Sequence, residues 1–365
     1  FLSGGIDSSC IAYYAHKHLN CSSQTFSVVY RDPSFDESRY STLVARHLQT
    51  RHHELLLKIE DAKETINHLD EFMDEPLSDM SLIPTYLLSR LTRQFVTVAL
   101  GGDGADELFL GYPTHTAHLL TRSYNRLPGF IRQNGIQPLV KRLPASHKDF
   151  SLDFQLKRFV SSANLSPLLR HFSWQAHIPF EQREELYHQP FDSTGNLMGF
   201  LNPRLPRNID SVPRLIEYLD LKFYLPNDIL AKVDTASMAN SLEVRSPFLD
   251  ADVVRFVYSL PVNLKYRLFR QKFLLKKLAE KFLPRKVVYR KKHGFGIPIG
   301  RWLKEDLYGH AEGLLSKKRL ENIPQLQFGF VRKLLDQHRS GHQNHRKSIW
   351  SLMVLSSWLQ SYYHV

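Results

Sequence analysis

Cysteine is scarce, with only Cys10 and Cys21 in 365 residues and no Cys-x-x-Cys spacing. This argues against a disulfide framework and a zinc site, and it fits a reducing cytoplasm. Cys10 falls inside a helix-like run and Cys21 in the turn after it, where a small buried or half-buried thiol is expected. The 18 histidines show no metal-ligand spacing. No apolar run reaches the roughly 18 residues needed to cross a membrane, and no signal peptide, internal repeat or low-complexity stretch is visible. A Gly-x-x-x-x-Gly-Lys-Ser/Thr loop is also missing, which argues against a P-loop NTPase acting on a terminal phosphate.

What is present begins at once. Phe1-Leu2-Ser3-Gly4-Gly5-Ile6-Asp7-Ser8-Ser9 is an apolar stub, a glycine and hydroxyl loop, and then a helix-like run from Cys10 to His18. Two glycines allow close backbone approach to a phosphate, Ser3 and Ser8 can donate, and the N–H groups of the following helix point at the same spot. By itself the run also reads as a tight turn with an N-cap. Asp7 is the odd member, because a carboxylate beside a phosphate repels it unless a cation intervenes. The loop therefore suits Mg²⁺-bound polyphosphate better than a bare anion.

A second loop has the same character. Phe95 to Leu100 is a short β-branched apolar run expected to form a buried parallel strand, and Gly101-Gly102-Asp103-Gly104-Ala105-Asp106-Glu107 follows directly. In an open α/β sheet, loops at the carboxyl ends of neighbouring strands meet in one crevice, so both acidic loops are expected to face one nucleotide and its metal.

Together with Phe35-Asp36-Glu37-Ser38, Asp74-Glu75-Pro76, Leu225-Pro226-Asn227-Asp228-Ile229-Leu230-Ala231-Lys232-Val233-Asp234, Glu243-Val244-Arg245-Ser246-Pro247-Phe248-Leu249-Asp250 and His293-Gly294-Phe295-Gly296-Ile297-Pro298, these loops carry a resemblance over nearly the whole chain. The sequence resembles the synthetase domain of glutamine-hydrolysing asparagine synthetases, of the ATP-pyrophosphatase loop type. The resemblance implies an adenine-nucleotide α-hydrolase-like fold and two chemical steps. A side-chain carboxylate attacks the α-phosphate of ATP to give an acyl-adenylate and pyrophosphate, and ammonia then displaces AMP. By the same resemblance Ser3, Gly4, Gly5, Asp7 and Ser8 would cradle pyrophosphate, Leu2 and Val28 would flank the nucleotide at the ends of the first two strands, and Gly101 and Gly102 would contact it through the backbone. Asp7 and Asp106 would hold Mg²⁺. Lys232 would neutralise charge growing on the phosphates, and Asp103 would help form the intermediate or manage a proton on ammonia. A solvated Lys232 and an Asp103 that only orders its loop are the alternatives.

In that family a glutaminase domain with an N-terminal cysteine nucleophile supplies ammonia, whereas residue 1 here is phenylalanine. Only Phe1 and Leu2 precede the first loop, where a central strand takes about five residues. The chain is therefore expected to be a fragment whose parent carries a covalently linked glutaminase domain. Its small-molecule partners would be aspartate or another carboxylate, with ammonia from glutamine. A homodimer is left open.

Thr25 to Tyr30 and His53 to Leu57 read as short buried strands, while Glu37 to Leu48, Asp61 to Phe72 and Leu82 to Arg93 carry helical spacing. That repeated βα pattern predicts an α/β class with a parallel sheet and helices on both faces. After Thr114 the strand signal fades into a mainly helical continuation, in which Gln271 to Leu283 shows the helical period and Pro284 ends it. Phe200 to Pro213, rich in proline, is the best candidate for a soft segment. The expected organisation is one synthetase domain over 1–365, with an α/β nucleotide-binding core at 1–113. The helical part at 114–365 contributes Lys232 and the Glu243–Asp250 loop. Asp79, Met80, Ser81 and that loop are candidate linings of the acceptor pocket.

The net charge of +12 equals the excess between Pro261 and Glu305, where fourteen Lys and Arg stand against Glu280 and Glu305. Such a stretch can bind RNA, an anionic surface or a polyanionic substrate. Phe273 falls on the apolar side of a helix, and the lysines opposite read as a solvated face, so nucleic acid is not the expected partner. The readings that remain are asparagine synthesis, the same chemistry on a sugar, peptidoglycan precursor or peptide carboxylate, an RNA-modifying adenylating enzyme, and a non-catalytic binding subunit.

Overall fold

The computed structural model describes residues 1–19, 23–146, 151–189, 192–290, 294–321 and 323–363. Cys21 and His293 lie outside the described residues.

Helix α1 (Ile6–Leu19) follows the first loop directly. Strand β1 (Gln24–Tyr30) is a run of aromatic, β-branched and hydroxyl residues, almost all buried, as a strand covered on both sides must be. Helix α2 (Ser38–Leu48) carries the chain across to β2 (Arg51–Leu57), which pairs parallel with β1 from Gln24 opposite Arg51 to Tyr30 opposite Leu57. Most of β2 is exposed or half-buried, consistent with an edge. Helix α3 (Ile59–Asn67) stops short of the expected Phe72, and a turn of 3₁₀ helix, Leu69–Glu71, follows. Helix α4 (Leu82–Arg93) has its expected bounds and packs on β1 and β2.

Strand β3 is shorter than the apolar run suggested, covering only Val98–Leu100. The amides of Phe95 and Val96 both donate to Thr92 O, closing the end of α4, so those residues belong to the helix terminus. Phe95 is 40% exposed and lies against the His53 ring with centroids 4.1 Å apart. After the short helix α5 (Ala105–Leu108), the chain returns to this region much later. A stretch of π-helix, Asp220–Leu230, holds Pro226 and runs into α6 (Ala231–Met238), which packs on α4. Strand β4 (Glu243–Arg245) then pairs parallel with β3.

The described residues thus form two parallel two-stranded ladders, β1-β2 and β3-β4. Residues 1 and 2 stand between them: Leu2 N–H donates to Phe26 O at 2.8 Å, and the Phe1 nitrogen donates to Leu100 O at 2.7 Å. This brings the β1, β3 and opening-stub ends to one place. Helices α7 (Ala251–Ser259) and α8 (Phe273–Ala279) complete this part, α8 being shorter than the expected Gln271–Leu283. Leu2, Ile6 and Cys10 pack with Val44 and Leu48 of α2, Leu108 of α5, Val257 of α7 and Leu275 of α8 in one apolar cluster.

The chain forms two compact units. The first comprises 1–68, 79–115 and 217–297, and the second 69–78, 116–216 and 298–365. The second is helical, ending in Arg346–Tyr363 with Trp350 fully buried, and Tyr187 and Leu326 form an isolated antiparallel bridge. Within it Arg170 Nε donates to His118 Nδ1 at 3.2 Å, a buried polar contact. No described helix is long and apolar enough to cross a membrane.

Candidate active site

The first loop is drawn together by its hydroxyls. Ser3 N–H donates to Ser8 Oγ at 3.2 Å, the two serine oxygens lie 3.1 Å apart, and Gly5 N–H donates to Ser3 Oγ at 3.2 Å. Gly4 has φ +69° and rests on the start of α2, where a Cβ would lie 2.5 Å from Ser41 N. Only glycine fits both the backbone and the space. Asp7 is in the first turn of α1, where the helix dipole and open N–H groups favour negative charge. Leu2 is buried in the apolar cluster. Val28 is buried inside β1 opposite Leu55, two residues short of the strand's end at Tyr30.

The second loop meets the first through Gly102, where a Cβ would stand 3.0 Å from Ser8 N and 3.1 Å from Asp7 Cβ. Gly101 N–H donates to Arg245 O at 2.8 Å, tying the loop to β4. Asp7 and Asp106 then converge on one cation: Lys272 Nζ lies 2.5 Å from Asp7 Oδ2 and 2.7 Å from Asp106 Oδ1. Burial lowers the tendency of Lys272 to hold its proton, but Asp106 and Asp7 outweigh this and the ammonium is held above its ordinary range. Among the described residues no group of three or more His, Cys, Asp or Glu forms a metal cage. A convergent pair of carboxylates is nonetheless a donor set that would suit a hard divalent cation such as Mg²⁺.

Behind this pair, Tyr112 O–H donates to Glu107 Oε1 at 2.6 Å. Burial, with Asp106 adding to it, pushes the Glu107 carboxyl up to about 7. His115 Nε2 and Asp220 Oδ2, both buried, are 3.0 Å apart.

Lys232, on α6, is not solvated. It is buried and its Nζ donates to Asp79 Oδ2 at 3.0 Å. Desolvation pushes its ammonium down, but Asp79, Asp103 and Asp228 outweigh that and hold it above its usual range. Asp79 also accepts from Ser81 N–H at 2.8 Å and from Ser81 O–H at 2.8 Å. Asp103 folds back over its own loop, with Oδ2 2.6 Å from where a Cβ on Gly101 would be, and burial raises its carboxyl above the usual range. The second loop and Lys232 are therefore linked electrostatically. An open cleft of about 410 Å³ lies beside them, lined by Pro226, Leu230, Ala231, Val233, Asp234, Val244 and Ser246. Val244 and Ser246 come from the loop named as candidate acceptor lining.

The basic stretch is only partly a solvated face. Lys265 is fully buried in an ion pair with Glu217, Lys272 sits between Asp7 and Asp106, and Arg290 pairs with Glu37. The Arg290 guanidinium also covers the Tyr40 ring at 4.8 Å, and its Nη2 is 3.3 Å from where a Cβ on Gly5 would be. The sequence reading passed over Asp79 as the partner of Lys232, and over Lys272 and Arg290 as neighbours of the first loop. The usable signal was charge balance, since two closely set acidic loops that must fold together call for cations from elsewhere.

Comparison with known proteins bears on the whole chain. The profile of a family described as Asparagine synthase matches residues 1–360. A Mycobacterium tuberculosis H37Rv protein named putative asparagine synthetase [glutamine-hydrolyzing] is 30% identical over 364 residues, 98% of this chain and 53% of its own length. A Bacillus subtilis protein named asparagine synthetase [glutamine-hydrolyzing] 1 is 29% identical over 98% of this chain and 55% of its own. A Penicillium rubens protein named amidase chyE is 23% identical over 91% of this chain and 53% of its own. The chain spans about half the length of these relatives.

Proposed function

The chain belongs to the asparagine synthase family, and from that premise we propose that it is the ATP-dependent synthetase part of an amide-forming ligase. Its substrate is aspartate, and β-aspartyl-AMP is formed with release of pyrophosphate before ammonia displaces AMP. One observation carries the reading. Asp7 and Asp106, from two glycine-rich loops, aim carboxylate oxygens at a single cation beside the first turn of α1. That is the arrangement a metal-bound polyphosphate needs.

In this reading Ser3, Gly4, Gly5, Asp7 and Ser8 cradle the pyrophosphate through helix N–H groups and hydroxyls. Gly101 and Gly102 offer backbone to the nucleotide, with Leu2 and Val28 supplying apolar support. Asp7 and Asp106 hold Mg²⁺, which when bound neutralises the phosphate oxygens. Lys232, kept charged by Asp79, stabilises charge that grows as the α-phosphate is attacked. Asp103, whose carboxyl burial raises, is assigned to helping form the intermediate or managing a proton on ammonia. The strand arrangement is assigned to the adenine-nucleotide α-hydrolase type, with 1–113 and 114–365 acting as one synthetase domain. What supports the contribution of Lys232 and β4 to the nucleotide-binding core is that both lie in the same compact unit as the first loop. Ammonia is assigned to glutamine hydrolysed by a linked glutaminase domain, and the protein to the cytoplasm, where the buried thiol of Cys10 stays reduced.

The test is pyrophosphate and AMP release from ATP with Mg²⁺ and ammonium, comparing aspartate with no acceptor and with a panel of sugar, peptidoglycan-precursor and peptide carboxylates. Release that requires aspartate, with asparagine formed in step, supports the proposal. Release that requires another acid keeps the chemistry and changes the acceptor, and ADP with phosphate in place of AMP overturns it.

A further inference from the structure

Lys272 belongs to a stretch whose lysines read as solvated, yet it is 4% exposed and reaches Asp106 at the start of α5 and Asp7 at the start of α1, 265 residues away. Three features of the backbone hold it in place. Its φ of 52° is a left-handed conformation that lysine adopts at a cost, and such strain collects at functional positions. Its N–H donates to Phe109 O at 3.2 Å. Gly111 leaves room for the ion pair, since a Cβ there would fall 2.1 Å from Lys272 Cε and 2.0 Å from Asp106 Oδ1.

We propose that Lys272 is the resident cation of the metal site, closing Asp7 and Asp106 in the absence of Mg²⁺, and that metal enters only together with polyphosphate. The inference rests on the proposed function, which gives the same carboxylates to the metal. The physical reason is charge. Asp7, Asp106 and Lys272 together carry one negative charge, and a divalent ion alone would set two cations against the same oxygens. The ammonium cannot retreat into apolar surroundings without an anion. Polyphosphate supplies that anion, taking over Lys272 while its metal takes over the carboxylates. Metal and polyphosphate binding are then positively coupled, and the coupling is reciprocal.

The probe is Mn²⁺, measured by equilibrium dialysis with and without inorganic pyrophosphate, on the native chain and on Lys272→Gln. The native protein is expected to bind Mn²⁺ weakly alone and at least about tenfold more tightly with pyrophosphate. Lys272→Gln is expected to bind Mn²⁺ alone at least about tenfold more tightly than native. Equal affinity for Mn²⁺ alone in the two proteins, with pyrophosphate still recruiting the metal to the native one, overturns the inference and leaves the functional reading standing. No metal binding under any condition removes both. A readout on the native protein needs no variant: Mn²⁺ and pyrophosphate together should raise the melting temperature by more than the two separate shifts added, and strict additivity overturns the proposal.

Discussion

Replacing Lys265 by Met leaves Glu217 as a carboxylate with its counter-charge deleted, in a place where both side chains have no exposure to water. Breaking a buried pair from one side costs about 3–5 kcal/mol, whereas removing both charges is close to neutral. At a urea slope of about 2.5 kcal/mol per M, the single variant should lower the unfolding midpoint of the first unit by about 1.5 M. Glu217→Gln combined with Lys265→Met should recover most of that. The probe must report the first unit. All four tryptophans (Trp174, Trp302, Trp350 and Trp358) lie in the second, so their fluorescence does not suffice. Cys10 lies in the first unit, is 2% exposed, and burial pushes its thiol up to about 12, so it should label only on unfolding. Pulsed thiol labelling read at the Cys10 peptide across a urea series is the assay. A single variant as stable as native at pH 8, or a double variant no better than the single one, would refute the buried-pair reasoning.

Three further outcomes are expected. Asp7→Asn removes one oxygen ligand's charge opposite the metal and should cut Mg²⁺-dependent ATP–pyrophosphate exchange more than about tenfold; near-normal exchange would sink its assignment. Lys232→Ala should lower the rate of adenylate formation in single-turnover experiments more than it weakens ATP binding, and equal losses would make Lys232 a binding residue only. The Glu107 carboxyl, raised from 4.5 to about 7, binds more protons folded than unfolded. Its stabilising contribution is present at low pH and lost as pH rises through about 7. Glu107→Gln, which still accepts from Tyr112, should therefore stabilise the first unit at pH 8 by up to about 3 kcal/mol relative to pH 5. Parallel urea curves at the two pH values check this.

Both loops were legible in the sequence because their chemistry is local. Adjacent glycines, hydroxyls and acids mark two tight turns at helix starts without help from the rest of the chain, and the structure brings the two together at Gly102. Strand β1 was legible for a similar reason, its run of apolar and β-branched residues matching a doubly covered strand. Strand β4 was not, because Glu-Val-Arg carries no strand signal and its three residues are fixed by pairing with β3. The π-helix at Asp220–Leu230, which continues through Pro226, likewise has no periodic signature. The largest difference concerns charge. Lys265, Lys272 and Arg290 look like solvated cations in sequence, and only contacts with Glu217, Asp7, Asp106 and Glu37, from distant segments, reveal them as internal. Phe95 failed in the opposite sense, its apolar character being used at a helix end rather than in a strand.

The most direct test of the account is the fate of oxygen. Aspartate labelled with ¹⁸O in its side-chain carboxylate should pass one labelled oxygen to AMP for each amide formed, because that oxygen attacks the α-phosphate. Label found in inorganic phosphate, or AMP released without label, would contradict an acyl-adenylate and with it the roles given to Asp7, Asp106 and Lys232.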